Sequence, residues 1–233
     1  MISFKWRHFQ QEIILMVVRW YLCYSLSYRN LEEMMLERGI SVDHSTINRW
    51  VIFYSSLLEE EFRKNYKRKV GVSWRMDETY IKIKGAWHYF YRAVDKEGNT
   101  IDFMLSKKRD EAAATAFFEK AIGSSGLPEK VTIDNSGANN AGLKAINLQL
   151  IILYFFGCAF MPIIIRQIKY LNNVVEQDHR SIKRITNPMM GFKNFYSAEA
   201  TLAGIELYHM LKKGPHINSE NSTAFEQFYA LAA

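Results

Sequence analysis

The sequence predicts an all-helical N-terminal segment followed by an α/β domain with a mixed sheet, on the strength of three observations. Apolar residues near the start, at 13, 14, 17, 18 and 21, recur with a helical period. From about residue 74 the period falls to two, in RMDETYIKIK, and strand-like runs then alternate with helical ones. The chain has 233 residues, 48% of them hydrophobic, which is ample for a buried core.

The first helix is expected in QQEIILMVVRWYLC, residues 10–23, with its apolar stripe turned inward. Ser27 is placed to cap a second helix whose inward positions are Leu31, Met34 and Met35, and Gly39 supplies its stop. Asp43 then caps a third helix, HSTINRWVIFY, with Ile47, Trp50, Val51 and Tyr54 inward. Its outward residues are His44, Ser45, Asn48 and Arg49. Three short helices with a glycine-containing turn before the last predict a helix-turn-helix over residues 1–62. In that motif the outward residues meet base edges and phosphates; an ordinary three-helix bundle fits the same pattern. Arg63, Lys64, Lys67, Arg68 and Lys69 make residues 63–72 a basic linker, or a solvated helix end.

The change of period marks the second domain, expected over 73–213, with 214–233 as a C-terminal tail. In the first strand Asp77, Thr79, Ile81 and Ile83 share one face, and Glu78, Tyr80, Lys82 and Lys84 the other. Gly85 allows a hairpin turn into WHYFYRAVD, and TIDFMLSKK follows as a third strand after the turn at Lys96–Asn99. Asp110 caps a helix, EAAATAFFEKAI; VTID is a short buried strand ending at Asp134; NSGANNAGLKAINL is a loop and a helix. This β-β-β-α-β-α order is that of an RNase H-like domain, and another mixed sheet fits it as well.

Chemistry concentrates in three carboxylates. Asp77 lies mid-strand on an apolar face, where a charge is costly unless paired or metal-bound. Asp134 ends a strand, where active-site residues of α/β folds gather. Glu176 lies on a helix, NNVVEQDHRSIKR, together with His179, Arg180 and Lys183 at offsets of three, four and seven. Val175, Ile182 and Ile185 occupy its other side. A solvated face with intrahelical pairing explains the same charges. Three carboxylates, two on strands and one on a helix, form a minimal cage for two divalent cations, and oxygen donors suit Mg²⁺, with Mn²⁺ an alternative. Lys169, His179, Arg180 and Lys183 would then hold DNA phosphates. Asp95, Asp102 and Asp178 are rival ligands; Asp95 and Asp102 flank a turn and Asp178 points about 200° away from Glu176.

The net charge of +6 favours a polyanionic partner, although the surplus is spread along the chain. The two cysteines, Cys23 and Cys158, sit in apolar runs without zinc spacing, which suits a reducing compartment. The uncharged run from Leu150 to Ile165 is short for a membrane span and is broken by Gly157 and Pro162, so buried strand or helix is expected there. With no signal-peptide pattern at the start, a cytoplasmic location without membrane partners is expected.

Five stretches carry a resemblance: FQQEIILMVVRWYL, SYRNLEEMMLERGISVDHSTINRWV, WRMDETYIKIKGAWHYFYRAVDKEGNTIDFMLSKKRD, TIDNSGAN and IRQIKYLNNVVEQDHRSIKR. Together they resemble the bacterial insertion-sequence transposases of the IS-six family, over about residues 4 to 213. The resemblance implies a helix-turn-helix that binds terminal inverted repeats and a DDE catalytic domain of RNase H-like fold. It implies cleavage and strand transfer on target DNA by a homo-oligomer holding both ends. Residue by residue, it makes Asp77 in MDETY, Asp134 in TIDNSGAN and Glu176 in NNVVEQDHR the catalytic triad, and Arg180 or Lys183 the basic residue after the glutamate. The chain departs from the family in the longer, uncharged run LIILYFFGCAFMPIII and in the segment after Gly214. A decayed copy that binds DNA without cutting it would show such changes.

Overall fold

A computed structural model describes residues 2–5, 8–157, 160–214 and 222–232, without the side chain of Lys169. In chain order, helices α1 (Gln11–Cys23), α2 (Tyr28–Leu36) and α3 (His44–Asn65) precede strands β1 (Ser73–Ile83), β2 (Ala86–Val94) and β3 (Thr100–Ser106). Helix α4 (Glu111–Ser125), strand β4 (Lys130–Ile133), helix α5 (Gly137–Phe155) and strand β5 (Ile164–Gln167) follow. Helices α6 (Asn173–Thr186), α7 (Phe195–Lys212) and α8 (Ala224–Ala230) complete the chain. It divides by packing into two compact units, Lys69–Arg180 and Met1–Arg68 with Ser181–Ala233.

In the helical unit, α1 buries Ile14, Leu15, Val17 and Val18, as its stripe requires. Ser27 and Asn30 form a capping box for α2, satisfying two orphan donors, and Gly39 leaves the helix at φ 72°. Asp43 caps α3 by accepting from Ser45 N at 2.7 Å. Helix α3 continues past its expected end because Leu58 and Phe62 extend the buried stripe. Arg63 and Lys64 therefore form its last turn, where cations complement the helix dipole, instead of opening a linker.

Residues 181–213 pack in this unit. Helix α7 lies so close to α3 and α1 that a Cβ on Gly204 would stand 2.6 Å from Ser55 Oγ and 2.7 Å from Leu22. The segment expected as a tail also contributes: Thr223 and Glu226 form a capping box for α8. Phe228 is buried, with its ring 5.9 Å from that of Tyr208.

The other unit holds a five-stranded sheet in the order β3-β2-β1-β4-β5. Strands β1, β2 and β3 are antiparallel neighbours, and β4 and β5 run parallel to β1. This is the RNase H-like mixed sheet. Lys84 (φ 50°) and Gly85 (φ 81°) close the β1–β2 hairpin, a two-residue turn that matches strand twist. Trp74, Met76, Tyr91 and Ala93 from the sheet pack with Phe117 and Phe118 of α4 and Leu143 and Ile146 of α5. The two helices nearly touch: a Cβ on Gly142 would stand 2.8 Å from Ala114 Cβ and 2.9 Å from Thr115 N.

The apolar run behaves in two ways. Asn147 clamps Ile163 through both backbone groups, at 2.9 Å and 2.8 Å, and so delivers the chain into β5 just after Pro162. Beyond Leu150, which is buried, α5 projects into solvent, and Phe155 and Phe156 are each 82% exposed. The expected burial of the run therefore fails for 151–157, which lie past the clamp, and also for 160–162 and Ile164, because β5 is an edge strand. Only Leu150 and Ile163 are buried among the described residues of the run, and Cys158 falls outside them. Among the described residues no helix is long and apolar enough to cross a membrane.

Candidate active site

The site forms where the parallel pairing of β1 and β4 ends. Strand β4 pairs with β1 only from Ser73 to Arg75, so Asp77 and Glu78 extend past it beside an open rim. Asp134 follows the last residue of β4 at the same rim. Although Asp77 and Glu78 leave opposite faces of the strand, the rim lets their side chains meet. Carboxylate oxygens of Asp77, Glu78 and Asp134 lie within 4.8 Å of one another.

Named donors hold the cluster. Asp134 accepts from Ser136 N at 3.0 Å, from Arg109 at 3.3 Å and from Asn139 at 3.3 Å. Glu78 accepts from Arg109 at 3.0 Å and from Asn139 at 3.1 Å. Arg109 stands just before the Asp110 cap of α4, and Asn139 is in the first turn of α5. The loops leaving β3 and β4 thus deliver both donors. Asp77 is mostly enclosed. Burial first, then the charge of Glu78 and those of Asp134 and Glu176, push its carboxyl up to about 7.

Helix α6 covers the opposite face of the sheet. Arg75 donates to Leu171 O at 3.0 Å and Asn172 to Met76 O at 3.3 Å, which fixes the chain just ahead of α6. Buried Arg92 pairs with Asp178 at 2.7 Å and braces the helix on β2. Glu176 is exposed in the first turn; its charge reaches Asp77, but it is outside the group of three. The rival Asp95 is a turn residue, accepting from Glu97 N and Asn99 N, and Asp102 is buried with Ser124 and Lys120.

Some residues expected to face DNA are placed otherwise. His179 is only 3% exposed, with Nδ1 3.9 Å from Asp77, because it falls in phase with buried Val175 and Ile182. Arg180 and Lys183 are exposed, whereas the Lys169 side chain lies outside the described residues. On α3, Ser45 and Arg49 face outward. His44 pairs with Glu32 at 3.0 Å, and Asn48 bonds the Tyr28 hydroxyl, since both lie on the flank next to the buried stripe. Glu78, Arg109 and Asn139 were not singled out by the sequence reading. Glu78 in particular was assigned to the face away from Asp77, which a rim makes irrelevant.

An oxygen-rich cluster of like charges that raises the pKa of its own member fits a divalent cation. Residues 71–215 match the DDE domain of IS240-type transposases. The chain is 40% identical to the transposase of the insertion sequence-like element IS431mec of Staphylococcus aureus strain N315, over 90% of this chain and 88% of that one. It is 39% identical, over the same shares, to the transposase of the insertion sequence element IS257 in transposon Tn4003 of the same species. Among solved structures, the catalytic core of HTLV-2 integrase in complex with magnesium superposes with a TM-score of 0.45 at 19% identity, over 68% of this chain and 98% of that one. The chain belongs to the IS-six family of insertion-sequence transposases, enzymes of the DDE type.

Proposed function

We propose that this transposase cuts DNA at the ends of its insertion sequence and joins the freed 3′-hydroxyls to target DNA, with Asp77, Asp134 and Glu176 as the metal-binding catalytic carboxylates. The observation that carries the reading is the meeting of Asp77 and Asp134 at one rim, with the charge of Glu176 acting on Asp77. A pair of Mg²⁺ ions held there would activate the attacking oxygen and neutralise the leaving one. Arg109 and Asn139 hold Asp134 in place, and His179 stands against Asp77 beneath α6. Arg180 and Lys183, at four and seven positions from Glu176, share its exposed side and suit DNA phosphates.

Helices α2 and α3 serve as the helix-turn-helix for the terminal inverted repeats, with Ser45 and Arg49 at the outward start of α3. An element has two such ends, so a homo-oligomer brings one copy to each. The work takes place where bacterial DNA lies, in the cytoplasm. A second reading is a protein that binds DNA without cutting it; the exposed apolar end of α5 favours it, as a mark of a decayed copy.

The test is Asp77→Asn, with end cleavage in Mg²⁺ and inverted-repeat binding measured side by side. Cleavage is abolished while binding is unchanged. Binding lost along with cleavage would make Asp77 structural, and a wild-type chain that binds without cutting would support the second reading.

A further inference from the structure

The face of the sheet that carries Glu78 continues beyond it to the tip of the β1–β2 hairpin. Register places Tyr91 opposite Glu78, Tyr89 opposite Tyr80 and Trp87 opposite Lys82, all on this face by the period of two. Tyr80 is 52% exposed and Trp87 61%. The Tyr80 ring centroid lies 5.5 Å from that of Tyr89 and 6.3 Å from that of Trp87, and Lys82 Nζ sits 6.0 Å over the Trp87 ring. Tyr80 and Trp87 stand open to solvent, while half-buried Tyr89 packs against the core and links this aromatic ladder to it.

Beyond Glu78, the charged groups along the hairpin are cationic. Residues 79–94 include no aspartate or glutamate; Lys82 and Lys84 are exposed, whereas Arg92 is buried against Asp178 on the other face. Strand β3 pairs alongside as far as Ser106, opposite Tyr89, and exposed Lys107 and Lys108 follow it. Cations among open rings fit a polyanion that also offers flat apolar faces. A duplex keeps the faces of its bases inside the stack, so it would engage the lysines and leave the rings unused. An unpaired strand engages both, since every base has a π-face and every link a phosphate. Tyr80 is three residues along β1 from Asp77, roughly 10 Å at about 3.3 Å per residue, a reach of one to a few nucleotides.

We propose that the ladder of Tyr80, Tyr89 and Trp87 is a stacking platform for unpaired bases of single-stranded DNA beside the carboxylate rim. The proposal adds a strand-binding surface to the cleavage reading and rests on that reading for its purpose, but its binding assay does not depend on cleavage.

The full chain is titrated without metal into a labelled oligothymidine strand and, separately, into duplex carrying the inverted repeat. Trp87→Ala and Tyr80→Ala each weaken strand binding about five- to a hundredfold, the range for losing one base–aromatic stack, and leave duplex binding unchanged. Trp87→Phe, which keeps a ring, retains most of the strand affinity and covers the case in which Trp87→Ala fails to fold. Strand binding unchanged in both alanine variants would overturn the proposal. So would equal losses on strand and duplex, which would make the face a plain phosphate surface. Loss of self-association in sedimentation with strand binding intact would assign the rings to another copy of the chain. End cleavage by the wild-type protein in Mg²⁺ is scored separately, so failure of the cleavage reading is told apart from failure of the platform.

Discussion

At the carboxylate rim Asp134 is held by Ser136 N, Arg109 and Asn139, whereas at the far end of α5 Phe155 and Phe156 stand 82% exposed. The two regions flank the same helix. The rim gathers like charges against their repulsion and needs directed donors to do so. The helix end lies beyond the Asn147–Ile163 clamp, so the fold is complete before reaching it. The difference shows where sequence is demanded by structure: polar groups forced together are specified one by one, while apolar groups held out in water are specified by nothing inside the unit.

The comparison can be broken most forcefully at Arg109. Arg109→Ala leaves Glu78 and Asp134 without their shared cation, and divalent affinity, measured by calorimetry, falls about 10- to 100-fold, as for other residues that position metal ligands. Affinity equal to wild type would show that the cluster holds its shape without directed donors.

A second measurement uses the raised carboxyl of Asp77. Its pKa in the folded chain, about 7, exceeds the ordinary aspartate value of 3.8, so the folded state holds this proton over a window in which the unfolded state has lost it. Its contribution to stability is full below pH 4 and is lost as pH rises through 7. Without metal, Tm of the wild-type chain should therefore fall across that window relative to Asp77→Asn, by several degrees. Parallel curves for the two proteins would mean that the charges at the rim are compensated in another way.

The smallest effect is expected at the other region. Phe155→Glu with Phe156→Lys should leave stability within about 0.5 kcal/mol, as surface changes do, while soluble yield rises because an exposed aromatic run is removed. A drop in Tm of many degrees would show that α5 needs its last turn.

The sequence was most informative where one period governed an element. The stripe of α1, the caps Ser27, Asp43 and Asp110, and the alternation of β1 all follow from spacing alone. Phase errors arose at flanks: His179 and Asn48 stand at the edges of buried stripes, and an edge position turns inward or outward with what packs there. Glu78 was hidden by the rule of alternating faces, which still holds there; with β4 no longer alongside, side chains from the two faces can reach round the open edge to one another. The capping box of α8 was written in TAFE but lay in a segment expected as a tail. The partition of α7 with the N-terminal helices was not legible, because long-range packing leaves no local period.

The near-contact at Gly142 has a mechanical side. With its Cβ position 2.8 Å from Ala114 Cβ and 2.9 Å from Thr115 N, α4 and α5 meet almost backbone to backbone, like two bars bolted without a washer. Side chains between helices act as compliant spacers; here there is almost none. The loop that carries Asp134 hangs between β4 and the bolted end of α5, and Arg109 sits at the head of α4. Both partners of that ion pair thus share one stiff mount, and small adjustments to an incoming ligand fall to side-chain rotation, leaving the backbone in place.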